Sequence, residues 1–164
     1  CMLMPVALLT IPQYSIFHAL HLTNTMLAII IPCCVSPFGF FLGRVYAQTS
    51  VPNELLEAAR IDGAGEARIF FTIVLRLLAP AMVTIFLFLF VGTWNNFLLP
   101  LMMVSSDALK PVTLGLYGMV SLATFTDRGA LMMGALLGVL PVIVLFLGLQ
   151  RYWQSGLAAG AVKG

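Results

Sequence analysis

The chain has 164 residues, 61% of them hydrophobic, with 8 Lys and Arg against 6 Asp and Glu. Charged residues make up 9%, against roughly 25% in soluble domains, and mean hydropathy is +1.05; a water-soluble fold is excluded. The net charge of +2 has no basic run behind it, so nucleic acid is excluded as a partner.

The chain starts at Cys1, inside an apolar segment and without an initiator Met; a missing N-terminus is expected. Residues 1–17 read as a membrane span with kinks at Pro5 and Pro12. His18 and His21 follow, three apart and able to share a helical face, with no carboxylate or cysteine beside them. They read as an interfacial pair, and no metal is expected. Residues 25–43 form a second span, interrupted by Pro32 and Pro37, with Ser36, Gly39 and Gly43 as a small-residue side. Cys33 and Cys34 lie within it, have no metal-ligand spacing, and read as small buried residues.

Residues 51–79 break the pattern. They hold Glu54, Glu57, Asp62 and Glu66 among six acids, with Arg60, Arg68 and Arg76 among eight bases. Pro52 suits a first helical turn, and Glu54 and Glu57 suit the positive end of the helix dipole. Gly63 and Gly65 permit a sharp turn. Arg68, Thr72 and Arg76 then recur every four residues opposite Phe70, Ile73, Val74 and Leu77, which predicts an amphipathic helix on the membrane surface. Pro80 opens a third span at 81–103, which carries Thr93, Trp94, Asn95 and Asn96 inside an apolar run. Buried amides in lipid need partners, so Thr93, Asn95 and Asn96 serve either helix packing or a water-filled solute path.

A loop at 104–128 carries Asp107, Lys110, Asp127 and Arg128, which sum to zero. The last span covers 129–150, with Gly129, Gly134 and Gly138 on a small-residue side and Pro141 as a kink, and 151–164 is a glycine-rich, basic tail. Arg44, Arg60, Arg68 and Arg76 lie in one loop and Arg151 and Lys163 in the tail. The positive-inside bias therefore puts the 51–79 loop and the tail in the cytoplasm.

Glu57-Ala58-Ala59, Gly63, Ile73 and Leu75 fall in the register of the signature loop of bacterial ABC-importer permeases: Glu-Ala-Ala, three residues, Gly, nine residues, Ile-x-Leu-Pro. The chain resembles the carbohydrate branch of that family, whose Trp-Asn-x-Phe stretch is similar to Trp94-Asn95-Asn96-Phe97 and whose C-terminus is similar to QRYWQSGLAAGAVKG. One departure is Arg76, which stands where the family has Pro; without that proline the helix is expected to be straighter there. The resemblance implies an all-α fold of polytopic transmembrane helices, the type I ABC-importer permease fold, with a cytoplasmic coupling-helix loop. The branch has six spans and four are read here, so the first two helices are expected to be absent.

The resemblance further implies a permease for a sugar, polyol or sugar phosphate in the bacterial inner membrane. Glu57, Ala58, Ala59, Asp62 and Gly63 would dock on an ABC ATPase subunit, and Gly156, Gly160 and Lys163 of the tail would touch it. A second, non-identical permease subunit and a periplasmic or lipid-anchored solute-binding protein are the other implied partners, besides the bilayer. No nucleotide-binding motif is present, so no cofactor is expected, ATP would be bound by the partner, and the chain is not expected to be an enzyme. An ion-coupled secondary transporter, the alternative, needs an intramembrane carboxylate, and the four expected spans contain none; a non-transporting membrane scaffold is the other alternative.

Overall fold

The structure, a computed structural model, describes residues 4–121 and 127–161. Among the described residues every regular element is helical: α1 (Val6–Ala19), α2 (Met26–Cys33), α3 (Pro37–Ser50), α4 (Asn53–Ile61), α5 (Glu66–Ile69), α6 (Leu75–Trp94), α7 (Leu98–Met103), α8 (Val112–Ser121) and α9 (Arg128–Ala161). A π-helical turn, Phe70–Val74, joins α5 to α6, and a 3-10 turn, Asp107–Leu109, precedes α8. Three stretches are long and apolar enough to cross a bilayer: Met26–Ser50, Glu66–Trp94 and Arg128–Gln150. The helices form two compact units, residues 1–37 with 90–144 and residues 38–89 with 145–164.

In the first unit, α1 and α2 are joined by a tight turn in which His21 (φ 55°) and Asn24 (φ 57°) take left-handed conformations. His21 lies past the end of α1, so the two histidines do not share a helical face as their spacing suggests; His18 packs against Tyr14 instead. The Asn24 N–H donates to the Met103 carbonyl at 2.7 Å. Its Oδ1 accepts from the Ser105 and Ser106 N–H groups at 3.1 and 2.9 Å. An Asn tolerates the left-handed region because its short side chain can bond nearby backbone. Beneath this seam Phe17, Ala28, Leu99, Met103 and Val104 form the buried core. The short helix α7 is thereby fixed under the α1–α2 turn.

The prolines interrupt less than expected. Pro12, Pro32, Pro80 and Pro141 all lie within continuous helix, whereas the break at residues 34–36 falls just before Pro37, the first residue of α3. A proline forfeits one backbone bond and fits the first helical turn best.

Two helix boundaries differ from the sequence expectation. The amphipathic segment after Gly65 is continuous with the following span through Pro80; Pro80 only withholds an N–H from the Arg76 carbonyl. The run 81–103 is divided, because helix stops at Trp94 and resumes at Leu98. Asn95 and Asn96 supply the competing bonds: Nδ2 of Asn95 donates to the Val91 carbonyl (2.9 Å), and Oδ1 of Asn96 accepts from the Leu99 N–H (3.4 Å).

In the second unit α3 packs on α6. Phe38 and Phe88 meet edge to face with centroids 5.9 Å apart, and Gly43 lets Ile85 approach to within 3.7 Å of where its Cβ would stand.

Candidate functional site

The charged segment projects from the second unit as an exposed helix. Pro52 precedes α4, with Glu54 in the first turn and Arg60 in the last, each matched to the helix dipole. No residue of α4 is buried. Its end is closed by a Schellman arrangement: Gly63 takes φ 78°, its N–H donates to the Arg60 carbonyl, and the Ala64 N–H donates to the Ala59 carbonyl, both at 3.0 Å. The chain reverses and enters α5, anchored by Ile69 at 3% exposure.

The structure brings the five expected docking residues together on this elbow. Glu57, Ala58, Asp62 and Gly63 are exposed and Ala59 is half-buried. Glu57 has no ion-pair partner among the described residues, so its carboxylate is available to an incoming cation. Arg60 is engaged instead: Nε donates to Oε1 of Glu66 at 2.6 Å and an Nη to Oε2 at 3.2 Å. That fork, helped by the field of Glu57, pushes the Arg60 guanidinium still further above its ordinary range. Beside α4 lies an open groove of about 550 Å³ whose lining includes Arg44, Gln48, Asn53, Leu56 and Val74.

The Arg60–Glu66 pair was not singled out from sequence. Residues six apart do not face one another on a straight helix, and only opposite charges flanking a glycine turn hinted at it. At the position of the expected bend, Arg76 lies in regular α6 and the irregular backbone comes earlier, at Phe70–Val74. There Thr72 Oγ1 donates to the Arg68 carbonyl at 2.6 Å.

The candidate path residues belong to the first unit. Asn95 and Asn96 are taken up by local backbone as above, with Thr93 just before them in the chain, and the Asn96 carbonyl accepts from Thr113 Oγ1 at 3.2 Å. Trp94 Nε1 donates to the Gly138 carbonyl at 2.9 Å, where a glycine leaves the carbonyl open to a side chain from outside its helix. These bonds tie the break in the helix to α8 and α9. Of the tail residues, Gly156 and Gly160 lie within α9, which runs on from the expected span at 129–150 to Ala161, and Lys163 lies outside the described residues. Among the described residues no group of three metal-ligating side chains occurs.

An exposed, charged helix–turn–helix set between apolar helices of membrane length is the arrangement to compare with known proteins. Residues 1–158 match the family of binding-protein-dependent transport system inner membrane components. The chain belongs to that family. Its fold is accordingly the all-α type I importer permease fold. The chain is 36% identical over 163 residues to the arabinooligosaccharides transport system permease protein AraQ of Bacillus subtilis, covering 99% of this chain and 57% of AraQ. It is 35% identical over 165 residues to the melibiose/raffinose/stachyose import permease protein MelC of the same organism, covering 99% and 59%. It is 34% identical over 162 residues to the lactose transport system permease protein LacG of Rhizobium radiobacter, covering 99% and 58%. The chain spans less than two thirds of the length of these inner-membrane-component relatives.

Proposed function

We propose that the protein is a permease subunit of a bacterial ABC importer that moves a sugar, polyol or sugar phosphate across the inner membrane. The observation that carries this reading is the exposed α4 elbow with the unpaired Glu57 carboxylate, in a chain of the inner-membrane-component family. The names of AraQ, MelC and LacG, all saccharide permeases, support the solute class.

In this reading α4 and its turn lie in the cytoplasm and seat on a separate ATP-hydrolysing subunit. Glu57 pairs with a basic group there, the small side chains of Ala58 and Ala59 allow close approach, and Asp62 and Gly63 close the contact. Gly156, Gly160 and Lys163 of the tail run along the same subunit. ATP is bound and cleaved by the ATPase subunits, and their closure moves the elbows and rocks the spans between inward- and outward-facing states. A second, non-identical permease completes the pathway, and a periplasmic or lipid-anchored binding protein delivers the solute. Thr93, Asn95 and Asn96 stand at the helix break, and the amide groups that the backbone bonds leave over, Oδ1 of Asn95 and Nδ2 of Asn96, would meet solute hydroxyl groups.

The test is Glu57→Arg in the complete transporter in proteoliposomes. Uptake is expected to fall at least about tenfold while the complex still assembles, as expected when a like charge replaces one partner of a desolvated pair. Undiminished uptake by the variant counts against the docking role.

A further inference from the structure

Resting on the docking role of α4 proposed above, we propose that Arg60 and Glu66 are positioning residues that lock the angle of the elbow, so that force on α4 reaches α6 instead of being absorbed at the glycine turn. The elbow needs such a lock. The four residues from Asp62 to Gly65 that join α4 to α5 include two glycines, one of them in the left-handed region. The bonds that close the turn return Gly63 and Ala64 to α4 itself, so they define the end of α4 without fixing how it meets α5. With no residue of α4 buried and only Leu56 and Ala59 half-buried, packing holds the angle weakly.

The Arg60–Glu66 fork crosses the turn with two bonds, at 2.6 and 3.2 Å. One end lies in the last turn of α4 and the other in the first turn of α5. A planar guanidinium held at two points restrains both separation and rotation, which a point charge does not. Beyond α5 the backbone runs without interruption through the π-turn into α6, so the glycine turn is the weak link between α4 and α6 and the fork is what bridges it.

The experiment uses the assembled transporter in proteoliposomes, with Cys1, Cys33 and Cys34 replaced. Spin labels at Ile61 (87% exposed) and Phe71 (67% exposed) report the elbow, and a single label at Phe88 (52% exposed) reports α6. The parent is expected to give one narrow Ile61–Phe71 distance and a spectral change at Phe88 on trapping with ATP and vanadate. Arg60→Glu and Glu66→Arg each place like charges across the turn; the distance distribution should broaden. The Phe88 response should fall about two- to fivefold, the range an exposed ion pair can supply in an equilibrium, while ATP hydrolysis continues. Arg60→Glu combined with Glu66→Arg should restore both signals, which general damage to the fold would not allow. A distribution as narrow in the single variants as in the parent overturns the proposal, and so does a full Phe88 response from a broadened elbow. If the parent itself gives no response at Phe88, the docking role falls and the transmission role with it, while the distance data still report whether the fork sets the angle.

Discussion

Gly63 shows how much one residue can carry. Its φ of 78° lies where a Cβ meets the following carbonyl, yet no atom stands within 4 Å of the position a Cβ would take. The cost of a side chain there is therefore backbone strain alone. Gly63→Ala is expected to destabilise the elbow by about 1 kcal/mol, whereas Gly65→Ala, at φ −71° and equally open, brings no backbone strain and should cost less, because the weaker capping by Ala is offset by the smaller backbone entropy it loses on folding. Limited proteolysis of the detergent-solubilised chain at the 62–65 turn would separate the two. Gly63 is legible in sequence because a glycine after a charged amphipathic helix has few other uses. Asn95 and Asn96 are not: an amide in an apolar run fits helix packing and a solute path equally well, and only coordinates show that the Val91 carbonyl and the Leu99 N–H take one group of each. Asn24 carries no sequence signal either, since a partner about eighty residues away, at Ser105 and Ser106, leaves no local trace.

Among the elements, α8 and α9 approach closely at two glycines. A Cβ on Gly134 would stand 2.9 Å from Leu116 Cδ2, and one on Gly138 would stand 2.9 Å from Val112 Cγ1. The distances are equal but the neighbours differ: a leucine tip can swing away, whereas a valine branch is fixed at χ1. Gly138→Ala is therefore expected to lower the thermal stability of the solubilised protein by about 1–3 kcal/mol, the usual cost of overpacking, and Gly134→Ala by clearly less; equal losses would contradict this account. The glycines were readable as a small-residue side, but their occupant was not, because α8 comes from a stretch read as loop. Periodicity also cannot mark where a uniformly apolar helix stops. For that reason the run 81–103 reads as one span although the backbone breaks after Trp94, and the join from Glu66 to Trp94 is invisible behind Pro80.

For the molecule as a whole, composition and the Glu57–Leu75 spacing are enough to reach the family, because the ratio of apolar to charged residues reflects the solvent a chain is built for. Orientation rests on a different observation, the crowding of arginines in one loop. Under the proposed topology a cysteine at Ile61 faces the cytoplasm and one at Ser105 faces outward. In intact cells of a strain lacking the native cysteines, a membrane-impermeant maleimide should label Ser105→Cys and spare Ile61→Cys until the membrane is opened. The reverse pattern would place the elbow where no ATPase subunit could reach it.

The wide turn at Phe70–Val74 holds its bonds one residue further apart than the helices on either side. Since each helical residue advances the face by about 100°, the surplus residue acts as a phase adjuster: removing it would rotate everything from Leu75 onward relative to the elbow while leaving the elbow's own chemistry untouched.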